Sequence, residues 1–250
     1  MKENTTSCSK KKIETEPFYN RITYLNGKKG RSSMSINPQT LLNAIKEAKE
    51  KAGERKFNQS VELIINLRDI DVKKPEGRIQ EAIELPYMPE EKQNKICVIA
   101  SGELALRAKK AGADLVMDRA ELEAIAQDKK RQRELAQKYN FFLVEAPSMP
   151  LVGRILGKFL GPRGKMPVPL PPTARVEELI KKYRRTIIIR LRGQPVLQCR
   201  VGTEKMKDEE ILENIQTVLR TIESKLKRGI KNIQSIYIKT AMGKPSEVKV

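Results

Sequence analysis

A chain of 250 residues can hold one large domain or two modest ones, and with 4% aromatic residues and no Trp its cores must be built mainly from Ile, Leu, Val and Ala. The balance of 50 Lys plus Arg against 31 Asp plus Glu, a net charge of +19, favours a polyanionic partner, nucleic acid first. Histidine is absent, which excludes every triad that needs it, and three cysteines without CxxC spacing point away from a disulfide framework or a zinc centre, so no metal, cofactor or enzyme activity is expected.

Residues 1–36 carry eight basic and three acidic side chains with little apolar periodicity, and are read as a basic flexible tail. They contain no secretory signal, so the chain is expected in the cytoplasm, and Met34 is a candidate translation start. Asn37-Pro38 is a cap and first-turn pair, and Leu41, Leu42, Ile45, Ala48 and Ala52 follow at helical spacing up to Gly53. Val61, Leu63, Ile65 and Leu67 then alternate as a half-buried strand does, and a second strand is expected from Arg78 to Leu85. Pro86 and Pro89 mark a linker.

From Lys95 the texture changes. Three short apolar runs, 96–100, 113–117 and 141–146, alternate with helices expected after Ser101 and from Asp118 to about Tyr139. Strands apolar on both faces, alternating with helices, predict a parallel sheet covered on both sides. No apolar run approaches the roughly 20 residues of a membrane span, and no lipidation signal is present, so a membrane is not an expected partner.

Leu151–Pro172 stands apart. Ile155, Leu156, Phe159 and Leu160 predict a short helix that stops where Gly161-Pro162-Arg163-Gly164-Lys165-Met166-Pro167 begins a loop, and Pro169, Pro171 and Pro172 oppose regular pairing beyond it. It is not a phosphate loop: the glycine needed five residues before Gly164 is Phe159, and Met166 follows the lysine. The three-glycine dinucleotide pattern is also missing. A plain proline-glycine linker with two exposed cations is the simplest reading of these residues alone.

After a helix around 175–183 the alternating texture returns. Ile187–Leu191 and Val196–Val201 are expected as a hairpin across Gly193-Gln194, Asp208 as the cap of a long helix ended by Gly229, and Ile233–Lys239 as a final strand. Residues 184–250 hold 15 basic against seven acidic side chains, and Arg190 and Arg192 are expected to project from the solvent face of the hairpin. Neither flank offers enough strands to stand alone. The expected architecture is therefore α/β and α+β in two domains: a discontinuous two-layer α+β domain, residues 37–87 and 184–250, with an inserted three-layer α/β domain of Rossmann-like parallel sheet, residues 88–183. Two proline-marked crossings would serve as a hinge between them.

The string GRILGKFLGPRGKMP closely resembles the signature of the ribosomal protein L-one family, and the segments around Lys56 and after Ser235 resemble its two RNA-contacting segments. The resemblance implies a constituent of the large ribosomal subunit, a monomer within the cytoplasmic ribosome. It implies binding to the ribosomal RNA of the mobile stalk, assisted release of deacylated transfer RNA from the exit site, and repression through the chain's own messenger RNA. Carried over residue by residue, RNA-contacting roles fall on Lys56, Phe57, Ser60, Glu62, Ser235, Met242 and Gly243. The family's threonine before Met-Gly is Ala241 here, with the hydroxyl one residue earlier at Thr240. Phe57 is expected to support the site from the core rather than stack on a base. The alternatives are a ribosome-assembly factor of the same fold that binds precursor RNA, and a nucleotide-using α/β domain tethered to an RNA-binding one.

Overall fold

Asn37 caps the first helix as expected, its Oδ1 accepting from the Gln39 amide at 3.0 Å, with Pro38 as the first helical residue. The computed structural model describes residues 37–53, 55–71, 79–171, 175–191 and 193–248. The tail and Arg78 lie outside them.

Helix α1 (Pro38–Glu50) buries Leu41, Ala44, Ile45 and Ala48 on one stripe. Strand β1 (Ser60–Leu67) buries every second residue. It lies inside a four-stranded antiparallel sheet of order β10-β9-β1-β8, made with β8 (Val196–Thr203), β9 (Ile233–Thr240) and β10 (Ser246–Val248). Helix α7 (Asp208–Lys225) covers the same face as α1, and Leu63, Ile65, Ile211, Ile215, Ile236 and Ile238 meet there in one core. Burial of such side chains contributes roughly 1.5–3 kcal/mol each, which fixes the register of β1 by fixing its inner face.

A parallel sheet of order β4-β3-β5-β6 is formed by β3 (Ile96–Ile99), β4 (Leu115–Met117), β5 (Phe141–Glu145) and β6 (Val168–Leu170). Cys97, Ile99, Phe142 and Val144 face Leu122, Ala136, Val152 and Leu156 of α3 (Arg119–Ile125), α4 (Lys129–Lys138) and α5 (Met149–Arg163). Ile96, Val98, Phe141 and Leu143 face α2 (Gly102–Lys110) and α6 (Val176–Arg185) through Leu104, Ala108, Val176 and Ile180. These are the three layers that the doubly apolar runs require. The fold is thus mixed, with an antiparallel sheet on one core and a parallel sheet between two others.

Several elements differ from the expected ones. The helix before the signature does not stop at Gly161: α5 continues through Pro162 to Arg163, because its buried stripe of Val152, Ile155, Leu156 and Leu160 holds the last turn in place. Gly164, at φ 66°, closes it with paired bonds from Gly164 N to Gly161 O (2.9 Å) and Lys165 N to Leu160 O (3.1 Å). The prolines beyond do permit pairing, since β6 is an edge strand where Pro169 needs no amide hydrogen. The charged helix from Asp118 is two helices, because Asp128 caps a second start with bonds from Lys130 N and Arg131 N.

Nor is there a hairpin at Gly193. Strand β7 (Thr186–Arg190) pairs with β2 (Gln80–Glu84) in a separate two-stranded sheet, while β8 pairs with β1. The α7 cap is Lys207, and Asp208 is instead the first helical residue, receiving Lys49 Nζ at 2.7 Å. Strand β10 carries no expectation at all, since three residues after Pro245 are too few for a periodic signal.

The two crossings between the cores run side by side. Leu85 N donates to Arg185 O at 3.1 Å, and the buried Asn94 side chain donates to the carbonyls of Tyr183 (3.1 Å) and Thr186 (2.5 Å). These bonds join the end of α6 and the start of β7 to the first crossing and satisfy the buried Asn94 amide.

Candidate nucleic-acid interface

Because β1 alternates, the face turned away from α1 and α7 carries Ser60, Glu62, Ile64 and Asn66. Register places Arg200 and Lys239 on either side of Glu62, and Ser235 opposite Asn66. Glu62 receives Gln198 Nε2 at 2.9 Å, and Asn66 Nδ2 donates to Ser235 Oγ at 2.9 Å. The candidate residues therefore form a strip along the open face rather than a point. Ser60 and the Asn66–Ser235 pair stand roughly 20 Å apart at about 3.4 Å per residue. Carboxylate, amide and hydroxyl groups in a row can both donate and accept, as a ribose edge requires.

The strip ends in a rim organised by Gln59. This side chain is fully buried, and its Oε1 accepts from Met242 N at 3.2 Å while its Nε2 donates to Gly53 O (3.3 Å) and Ala52 O (3.4 Å). Its own carbonyl accepts from Glu204 N at 2.9 Å, and Ser60 O accepts from Ala241 N at 2.9 Å. Four segments, the end of α1, the start of β1, the end of β8 and the turn after β9, are tied at one place. The consequence is outward: Met242 and Phe57, 62% and 54% exposed, are held at the rim with Lys56 exposed beside Phe57. The expectation that Phe57 supports the site from the core is overturned by that exposure. Aromatic and thioether surfaces left in water beside cations suit stacking or packing on a base or ribose.

Gly243 has a steric reason to be glycine. A Cβ there would overlap Thr240 Oγ1 and lie 3.2 Å from Ala52 Cα and 3.4 Å from Lys51 O. Thr240 itself is fully buried, opposite Val61 on the inner face, so it does not replace the hydroxyl missing at Ala241. Alternation places it in the core, and its Oγ1 has no hydrogen-bond partner.

Arg190 does not lie on the strip. It belongs to the β2–β7 sheet, and its guanidinium donates to Arg163 O against Gly164, which corrects its placement on a solvent face. Arg192 lies outside the described residues. The signature is also more than a linker with exposed cations. Lys165 Nζ donates to Tyr139 O (2.7 Å) and Ala136 O (2.9 Å) at the C-terminal end of α4, and burial followed by the Arg163 charge lowers its pKa. Arg163 folds back onto Phe159 O at 3.1 Å, and Met166 is strongly exposed, at 66%.

Gln59, Gln198 and Asn66 were missed as organisers. The signal for the latter two was the alternation of β1 and β8. Nothing local distinguishes Gln59 from its neighbours Asn58 and Ser60. Among the described residues no group of three metal-ligating side chains is found, and no helix is long and apolar enough to cross a membrane.

The chain is 50% identical over 219 residues to the large ribosomal subunit protein uL1 of Pyrococcus abyssi, covering 87% of this chain and 99% of that protein. It is 48% identical over 205 residues to the uL1 protein of Methanothermobacter thermautotrophicus, covering 82% and 96%. The uL1 protein of Aeropyrum pernix is 44% identical over 217 residues, covering 85% and 98%. Residues 45–244, from the middle of α1 to the rim turn, match the ribosomal protein L1p/L10e family as a whole. With every described strand but β10 and the Gln59 rim inside that match, the chain belongs to the ribosomal protein L1p/L10e family.

Proposed function

We propose that the chain is a non-enzymatic structural constituent of the large ribosomal subunit in the cytoplasm, gripping the ribosomal RNA of the mobile stalk along the open face of the antiparallel sheet. The observation that carries this is the convergence at the Gln59 rim, where Met242 and Phe57 are exposed next to the polar strip of Ser60, Glu62, Asn66 and Ser235. The names of the uL1 relatives support the ribosomal part. Phosphate contacts supply affinity without sequence information, and the rim supplies shape.

In this reading residues 37–87 and 184–250 anchor on the stalk, and residues 88–183 move with it to assist release of deacylated transfer RNA. A similar RNA fold in the chain's own messenger would make it a translational repressor. The resemblance of the signature and rim segments supports both roles. Binding of deacylated transfer RNA to reconstituted subunits with and without the chain tests the first, and binding to its own messenger leader tests the second.

The direct test is titration against stalk RNA and a plain duplex of equal length at two salt concentrations. Tight stalk binding that survives the higher salt, while duplex binding collapses, is expected. Equal affinities falling together would overturn the proposal. Met242→Ala is expected to weaken stalk binding about tenfold, or roughly 1.4 kcal/mol, and to leave duplex binding unchanged. Equal loss on both RNAs would remove Met242 from the specific contact.

A further inference from the structure

A concavity of about 320 Å³ opens between the signature turn and strands β7 and β8, meeting the strip only at Arg200. Four cations line it, Arg163, Lys165, Arg190 and Arg200, and among the described residues no carboxylate does. Glu62, opposite Arg200 in register, accepts from Gln198 with one oxygen and is not part of the lining.

The donors differ in what they have left to give. Lys165 directs its ammonium to main-chain carbonyls at the end of α4, so it contributes charge to the cleft rather than hydrogens. Arg163 and Arg200 each give one bond to a carbonyl, Nη1 to Phe159 O at 3.1 Å and Nη2 to Lys92 O at 2.7 Å. A guanidinium has five N–H donors, so each retains most of its fork. Arg200 is partly buried, and that burial lowers its pKa. Planar forks beside further positive charge match a tetrahedral anion, which can take paired hydrogen bonds from each.

We propose that this cleft is a phosphate-binding site in which Arg163 and Arg200 supply the hydrogen bonds and Lys165 and Arg190 the surrounding positive field. Its lining comes from residues 94–165 on one side and 186–200 on the other, so a bound phosphate ties the signature turn to β7 and β8. The phosphate belongs either to a free anion or to an RNA backbone, and the chemistry of the site is the same for both.

Thermal unfolding of the full chain in inorganic phosphate or pyrophosphate, against sodium chloride of equal ionic strength, separates specific occupancy from screening. Arg163→Gln and Arg200→Gln are made separately, with folding checked by circular dichroism in chloride, and Met242→Ala serves as a control outside the cleft. A melting temperature raised by phosphate in the wild type and in Met242→Ala, with affinity about tenfold weaker in each arginine variant, identifies a free-anion site. If free phosphate has no effect but both arginine variants bind stalk RNA about tenfold more weakly, the occupant is a backbone phosphate. A phosphate response retained in both variants, or a wild type indifferent to phosphate with variants that bind RNA normally, overturns the proposal. Should one variant fail to fold, the wild-type response and the other variant decide.

Discussion

Gln59→Leu is expected to cost about 2–3 kcal/mol of stability and to abolish most of the preference for stalk RNA over duplex. Leucine fills similar space but cannot accept from Met242 N or donate to Ala52 O, so two main-chain groups held by a fully buried amide lose their partner. Gly53 is exposed and its carbonyl can turn to water, which keeps the cost below that of three orphaned groups. The functional loss exceeds the stability loss because the bond from Met242 N to Gln59 Oε1 is, among those described, the only one that ties the exposed Met242 to the segment leading into β1. Urea unfolding and paired RNA titrations measure the two effects. A stability change under about 0.5 kcal/mol with unaltered RNA preference would show that the rim does not depend on this amide.

Gly243→Ala is expected to lower stability by about 1–3 kcal/mol and specific RNA affinity about a hundredfold. The backbone angle is not the reason, since Gly243 is absent from the positive-φ glycines. The added methyl would occupy the position of Thr240 Oγ1, a buried hydroxyl with little room to move, and would press on Ala52. The turn must shift outward and carry Met242 with it. Removing the obstacle should relieve the strain: in the Gly243→Ala background, Thr240→Ala is expected to recover part of both losses, with a coupling of about 0.5–3 kcal/mol. Additive losses in the double variant would exclude the steric account.

What could be read from the sequence follows from which signals are local. The alternation of Val61, Leu63, Ile65 and Leu67 against the α1 and α7 stripes identified the inner face of β1, and hence the open face, because burial repeats at the period of the element. The unbroken runs at 96–99 and 141–144 identified the sandwiched parallel sheet for the same reason. Where propensity and packing conflict, local reading fails: Pro162 inside the last turn of α5 and Pro169 on an edge strand are both tolerated by a neighbour the sequence does not reveal. The hairpin at Gly193 failed differently. Two adjacent strands and a short turn were all present, but β2 and β1 compete for them from more than a hundred residues away.

The candidate site divides along the same line. Met242, Ser60 and Glu62 could be placed by resemblance and alternation along one strip and rim, whereas Phe57 was found by resemblance but its exposure was not foreseen. Arg190 could not, because a cation on a strand looks the same whether it meets solvent or the carbonyl of Arg163. Thr240 was misplaced by considering only its hydroxyl and not its parity along β9. Gln59 could be recognised only once the segments that converge on it were in place.

The position of β1 between β8 and β9 also imposes an order in time. Leu63 leaves the synthesis machinery long before its partner Cys199 exists, a delay of roughly 7 to 27 seconds at about 5–20 residues per second. The parallel sheet draws its strands and helices from residues 96–185 and can close during that wait, whereas β1 stands with both edges open. Nascent chains stalled after α6 has emerged should therefore resist brief proteolysis from β3 onward while α1 and β1 are cut. Equal protection of the two would mean that β1 is sheltered by something other than its final neighbours while both of its edges wait for strands made more than a hundred residues later.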